Sequence, residues 1–113
     1  MSKIKGNKGE QLAADFLESE GYEVLERNYR HSRSELDLIA LWKNELLVFV
    51  EVKLRTRKDF GAAESFVSDH QQEKIRVAAE DYIHQINWQK DIRFDIITVD
   101  SNDRLEHLKD AFY

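Results

Sequence analysis

Residues 46–53, Leu46-Leu47-Val48-Phe49-Val50-Glu51-Val52-Lys53, leave the chain few choices. Aliphatic, β-branched and aromatic residues in an unbroken run favour a strand. A strand apolar on both faces belongs in the middle of a sheet, with other elements covering it on each side. The run then ends by placing Glu51 and Lys53 two residues apart. Side chains alternate along a strand, so both project from one face. The carboxylate can hold a cation, and the amine can meet an anion or a water. That pairing suits phosphodiester chemistry.

The rest of the chain supplies the layers such a strand needs. Residues 7–20 predict a helix whose apolar face is Leu12, Ala13, Phe16 and Leu17, with Gly21 as its stop. Tyr22 to Tyr29 and Leu36 to Trp42 predict two strands around a polar turn at 30–34. Lys43-Asn44-Glu45 is a hairpin connection into the apolar strand. Residues 55–69 show no period and are expected to form a loop. Over 71–87 the stripe Ile75, Ala78, Ala79, Tyr82, Ile83 and Ile86 predicts a second helix. Arg93 to Val99 predicts a fourth strand, and Leu105, Leu108 and Phe112 a short packed terminal segment. The order is α-β-β-β-α-β. Short turns imply an antiparallel meander, and a helical crossover returns the chain to a parallel strand. The expected fold class is α/β, a mixed sheet flanked by helices.

Composition narrows the chemistry. At 113 residues a single domain spanning 1–113 is expected. With no cysteine, disulfides, thiolate zinc sites and cysteine nucleophiles are excluded. The four histidines lack zinc spacing, and there is no glycine-rich phosphate loop. The start MSKIKGNKGE has no apolar signal stretch, and the longest apolar run is too short to span a bilayer, so a cytoplasmic protein without membrane contact is expected. The net charge of −5 is concentrated in the second half, which argues against purely electrostatic binding of nucleic acid.

Glu51-Val52-Lys53 is the only Glu-x-Lys in the chain, though with 12 Glu and 9 Lys roughly one is expected by chance. A surface ion pair at a strand end is the plain structural alternative. Asp37 adds weight. It lies among Leu36, Leu38 and Ile39, where a carboxylate is costly unless paired, hydrogen-bonded or bound to metal. Lys43-Asn44-Glu45 falls midway between Asp37 and Glu51, so a hairpin brings the two together. Adjacent carboxylates repel, and a divalent cation relieves them; oxygen donors favour Mg2+ or Mn2+. A salt bridge from Asp37 to Lys53 or Arg55 is the alternative. Glu10, placed in the first turn of helix one, is a third candidate, and stabilisation of the helix N-terminus explains it equally well. Glu35 is a fourth acid or a solvated one. Among the bases, Arg30, Arg33, Arg55, Arg57 and Lys58 could hold phosphates, or simply be a solvated face.

Taken together, Gly9-Glu10, Gly21-Tyr22, Arg27-Asn28-Tyr29-Arg30, Glu35-Leu36-Asp37-Leu38-Ile39-Ala40, Val48 to Arg55, Phe60-Gly61 and Arg93-Phe94-Asp95 resemble the YraN family of small bacterial proteins over nearly the whole chain. That family is in turn similar to the restriction-endonuclease-like superfamily, which includes Holliday-junction resolvases. The resemblance implies a restriction-endonuclease-like core and a magnesium-dependent endodeoxyribonuclease. It implies catalytic roles for Glu10, Asp37, Glu51 and Lys53, with metal held by Asp37, Glu51 and Glu10. Many family members carry a basic residue near the start of helix two, where this chain reads His70-Gln71-Gln72. Some related nucleases use a glutamine there, which makes Gln71 a candidate. Two other functions are expected alternatives. One is a DNA-binding protein that keeps the fold with little activity. The other is an assembly module whose apolar end, Leu108, Ala111 and Phe112, joins a partner chain, a homodimer included.

Overall fold

The computed structural model describes residues 2–55 and 67–113, with side chains from residue 8 onward. Its elements are α1 (Ser2–Ser19), β1 (Tyr22–His31), β2 (Ser34–Trp42), β3 (Leu46–Arg55), α2 (Asp69–Ile86), β4 (Asp91–Asp100) and β5 (Leu105–Phe112). The five strands lie in one sheet in the order β1-β2-β3-β4-β5. β1, β2 and β3 form the antiparallel meander, β3 and β4 pair in parallel, and β5 returns antiparallel to β4. The α/β class, the mixed sheet and the order α-β-β-β-α-β are as the sequence predicts, with one strand added at the end.

Apolar β3 sits at the centre of the sheet, and its two faces feed two cores. Val48 and Val50 pack with Ala13, Ala14 and Leu17 of α1. Leu47 and Phe49 pack with Ile75, Ala78, Ala79 and Tyr82 of α2. The sheet is thus the middle of three layers. No described helix is long and apolar enough to cross a membrane.

Three local features differ from the sequence reading. The helix α1 begins at Ser2 and runs through Gly6-Asn7, because an isolated glycine costs only about 1 kcal/mol in a helix. Glu10 is therefore mid-helix, and the helix N-terminus does not account for it. The polar turn at 30–34 tightens to Ser32 and Arg33, with Ser32 at φ 58°, so β1 and β2 extend almost to the tip. The terminal segment is a strand. Its apolar residues miss a period of two because the β4–β5 register shifts between Phe94 and Ile96, near Asp110 with its left-handed φ of 55°. The expected loop at 55–69 falls largely outside the described residues.

Candidate active site at a break in the sheet

The β2–β3 ladder pairs Trp42 with Leu46 and runs as far as Leu38 with Val50. One step further, Asp37 would face Glu51. There the backbone pairing stops, and the Asp37 carboxylate accepts the Val52 N–H at 2.8 Å in its place. The sequence-derived juxtaposition of Asp37 and Glu51 thus arises where a side chain replaces a ladder bond.

A second irregularity brings Glu10 within reach. Leu38 belongs to the α1-side core, and Leu36, two residues away, to the α2-side core. Their partners on β1 divide the same way. Arg27 donates to Gln11 of α1 at 2.7 Å, while Tyr29 stacks edge-on against Tyr82 of α2. Strict alternation would put residues two apart on one face. Between them lie Asn28, with a left-handed φ of 52°, and Asp37. Asp37 therefore stands where the sheet switches faces, reached by Glu10 from the α1 layer and by Glu51 from the α2 side. Gly9 lets α1 approach β3 closely, since a Cβ there would lie 3.0 Å from Leu54 Cδ2.

The electrostatics reflect this crowding. Burial, then the charge of Glu51 and a proton shared with it, push Asp37 up to about 8, against the Val52 N–H that favours its ionised form. Burial also raises Glu51, offset by its bonds to Asp37 and Lys53. Glu10 is raised by burial and by Asp37, with Asn28 opposing. Lys53 Nζ lies 3.7 Å from Glu51 Oε2, on the face the strand period predicts. The alternative salt bridge from Asp37 to Lys53 or Arg55 does not form: Lys53 pairs with Glu51, and Arg55 with Glu106 of β5 at 3.0 Å.

Gln71 reaches Glu51 from the first turn of α2, its Nε2 donating to Oε2 at 3.1 Å. The segment Ser68-Asp69-His70-Gln71 has the spacing of a capping box, and Ser68 Oγ does accept the Gln71 N–H. Gln71 leaves the box half-made. Its side chain turns to the site and not back to the cap.

Asp37, Glu51 and Gln71 line a cavity of about 260 Å³, with Glu35, Arg33, Lys74 and Ile75 on its wall; Glu10 and Lys53 lie outside its lining. Lys74 is the residue that sequence reasoning missed. The signal was its place three residues after Gln71 and one before buried Ile75, which puts an amine on the site-facing turn of α2. Of the other candidate bases, Arg30 makes an exposed pair with Glu35 at 3.6 Å, and Arg57 and Lys58 lie outside the described residues. Among the described residues no group of three or more acidic or histidine side chains closes into a metal cage.

Comparison with known proteins finds relatives over nearly the whole chain. A protein of Cytophaga hutchinsonii is 42% identical over 107 residues, covering 95% of this chain and 94% of its own. One from Caldanaerobacter subterraneus subsp. tengcongensis is 43% identical over 117 residues, covering 97% and 95%. One from Chlorobium chlorochromatii is 42% identical, covering 96% and 90%. All three are described as UPF0102 proteins. Among solved structures, Pyrococcus furiosus SfsA in complex with Ca2+ matches 96% of this chain and 63% of its own at 12% identity, with a TM-score of 0.34, too loose a superposition to carry an assignment. The match to the family described as "Uncharacterised protein family UPF0102" spans residues 9–99, from within α1 to the end of β4 but for its last residue, and bears out the YraN resemblance: the chain belongs to this family.

Proposed function

We propose that the protein is a divalent-metal-dependent nuclease that hydrolyses phosphodiester bonds in DNA. The observation that carries this reading is the meeting of Glu10, Asp37 and Glu51, with Lys53 beside them, at a point where the sheet gives up a ladder bond. Glu51 is buried and Asp37 and Glu10 are half-buried; carboxylates held this close are costly as a structural device, and a divalent cation relieves them. The donor set fits Mg2+ or Mn2+: hard oxygens from Asp37 and Glu51, with Glu10 assisting. A shell completed by water and phosphate is the usual habit of Mg2+, which seldom needs an all-protein cage. When bound, the ion supplies Lewis-acid polarisation and a more acidic water. Lys53 orients the attacking water and offsets charge developing on the phosphate oxygens. Gln71 fixes the Glu51 carboxylate through its 3.1 Å bond.

Glu51→Ala and Lys53→Ala are each expected to lower metal-dependent cleavage by on the order of 10²-fold or more while the thermal transition persists. The check is a gel assay on branched, single-stranded and duplex DNA. Wild-type protein that cuts none of these with magnesium or manganese sinks the proposal.

The acidic second half favours one other reading, a DNA-binding protein with little activity. Salt-dependent binding that survives Asp37→Asn, without cleavage, would select it. The apolar end offers less to the assembly reading, because Leu108, Ala111 and Phe112 pack on the α2-side core of their own chain.

A further inference from the structure

The cavity wall is divided by charge. Asp37 and Glu51 form its less exposed side, while Arg33 and Lys74 stand exposed on it with Glu35. Neither Arg33 nor Lys74 makes an ion pair with a described residue, in contrast to Arg30, Arg55, Arg76 and Arg93. The two come from different elements, and the structure holds those elements together. Arg33 sits at the tip of the β1–β2 hairpin. That hairpin is fastened to α2 through Asp81, which accepts from Tyr29 Oη, pairs with His31 Nδ1 at 3.2 Å, and accepts from Gln85 Nε2 at 3.0 Å. Lys74 lies seven residues before Asp81 on the same helix, two turns or about 10 Å away. The chain beyond His31 runs on to the tip, and the shared cavity puts Arg33 and Lys74 on one wall.

We propose that Arg33 and Lys74 form an anion subsite for the non-bridging oxygens of a phosphate ester, and that it fills only when a divalent cation occupies the neighbouring carboxylates. This rests on the nuclease reading for the cation. The charge account supports the order of binding. Glu35 already pairs with Arg30 and Glu51 with Lys53, so Asp37 is the lining carboxylate that makes no ion pair with a described residue, and an anion on Arg33 and Lys74 has it for a neighbour. A divalent cation on Asp37 and Glu51 replaces that repulsion by attraction and so favours a phosphate on Arg33 and Lys74. Arginine gives paired donors matched to phosphate oxygens, and lysine a point charge. A cavity of about 260 Å³ has room for one phosphate group with its cation.

The test is calorimetric titration of thymidine 5′-monophosphate, which has no diester to cut, into the full chain with and without Mg2+. Binding is expected with Mg2+ and at least tenfold weaker without it. Arg33→Ala and Lys74→Ala are each expected to weaken it roughly tenfold, the worth of a hydrogen bond to a charged group. Lys90→Ala, remote from the cavity, should leave it unchanged, and Mg2+ binding alone should be no weaker in Arg33→Ala or Lys74→Ala, each of which loses only a neighbouring cation. Equal binding by the Arg33→Ala/Lys74→Ala double variant, binding indifferent to Mg2+, or no binding by wild type overturns the subsite. Active wild type with KM unchanged in the double variant overturns the subsite and leaves the nuclease reading standing. Mg2+-dependent binding lost in the double variant, with no cleavage by wild type, does the reverse.

Discussion

Asp37 and Asp95 occupy similar local sequences, Leu36-Asp37-Leu38-Ile39 and Phe94-Asp95-Ile96-Ile97, and both are carboxylates within apolar strands. The fold treats them oppositely. Asp95 is fully buried and fully answered. Arg93 donates from Nε and Nη2 at 2.8 and 2.7 Å, His107 Nε2 lies at 2.7 Å, and the Asp110 N–H donates at 3.0 Å. Arg93 is held in turn by the Tyr22 hydroxyl at 2.9 Å. Burial alone would raise Asp95, but the bonds from His107 and Arg93 outweigh it and hold it below the ordinary carboxylate value. Asp37 has one N–H donor and other carboxylates for neighbours, and is pushed up to about 8. One site is a closed network that ties β5 to β4. The other keeps unmet demand for positive charge, which is what a ligand site needs.

The largest effect should come from breaking the closed network. Asp95→Ala strands a mostly buried guanidinium and the His107 ring, and is expected to cost about 3–5 kcal/mol in urea-induced unfolding. Asp37→Asn should do the opposite, gaining about 0.5–2 kcal/mol at pH 8, as when a strained site is relaxed, and under the proposed nuclease function it should also abolish cleavage. A loss of stability comparable to that of Asp95→Ala would erase the distinction.

The pH dependence separates the two sites by sign. The folded-state value of Asp37 is raised, so its contribution is full below the unfolded value near 4 and is lost as pH climbs toward about 8. Asp95 is lowered, so its contribution is full above the ordinary carboxylate value and is lost only as pH falls through its depressed one. Wild-type stability followed by thermal unfolding should therefore decline between pH 4 and 8. Asp37→Asn should flatten that decline and leave the acid limb intact. Added Mg2+ should flatten it too, by stabilising the ionised pair. The smallest effect belongs to the exposed pair. Arg30→Ala should change the unfolding free energy by less than about 1 kcal/mol, because its partner Glu35 lies 3.6 Å away in solvent.

Much of the frame is legible in the order of residues. The run from Leu46 to Val50 demands a central strand because no other element buries so many consecutive apolar side chains in so short a length. The stripe Ile75, Ala78, Ala79, Tyr82 demands a helix on one face of it. Asp37 and Glu51 are equidistant from a three-residue turn, so a hairpin must bring them level. These are short-range consequences of alternation, period and chain symmetry. β5 was less legible because a shift in its pairing with β4 disrupts the period by which strands are recognised. Lys74 left only the faint signal of its place between Gln71 and Ile75, and the Asp81 clamp left none, since Tyr29 and His31 lie on an element far away in sequence.

The sequence by itself determined which residues are apolar enough to build the layers, and that a carboxylate pair would meet on the meander. Only the tertiary structure decided which strand aspartate is satisfied. Asp95 draws Arg93 from its own strand but His107 and the Asp110 N–H from β5, while Asp37 meets Glu10 and Glu51 at the point where the sheet changes face. The charge state of a buried group depends on what is packed within a few ångströms of it, and that neighbourhood is assembled from distant parts of the chain.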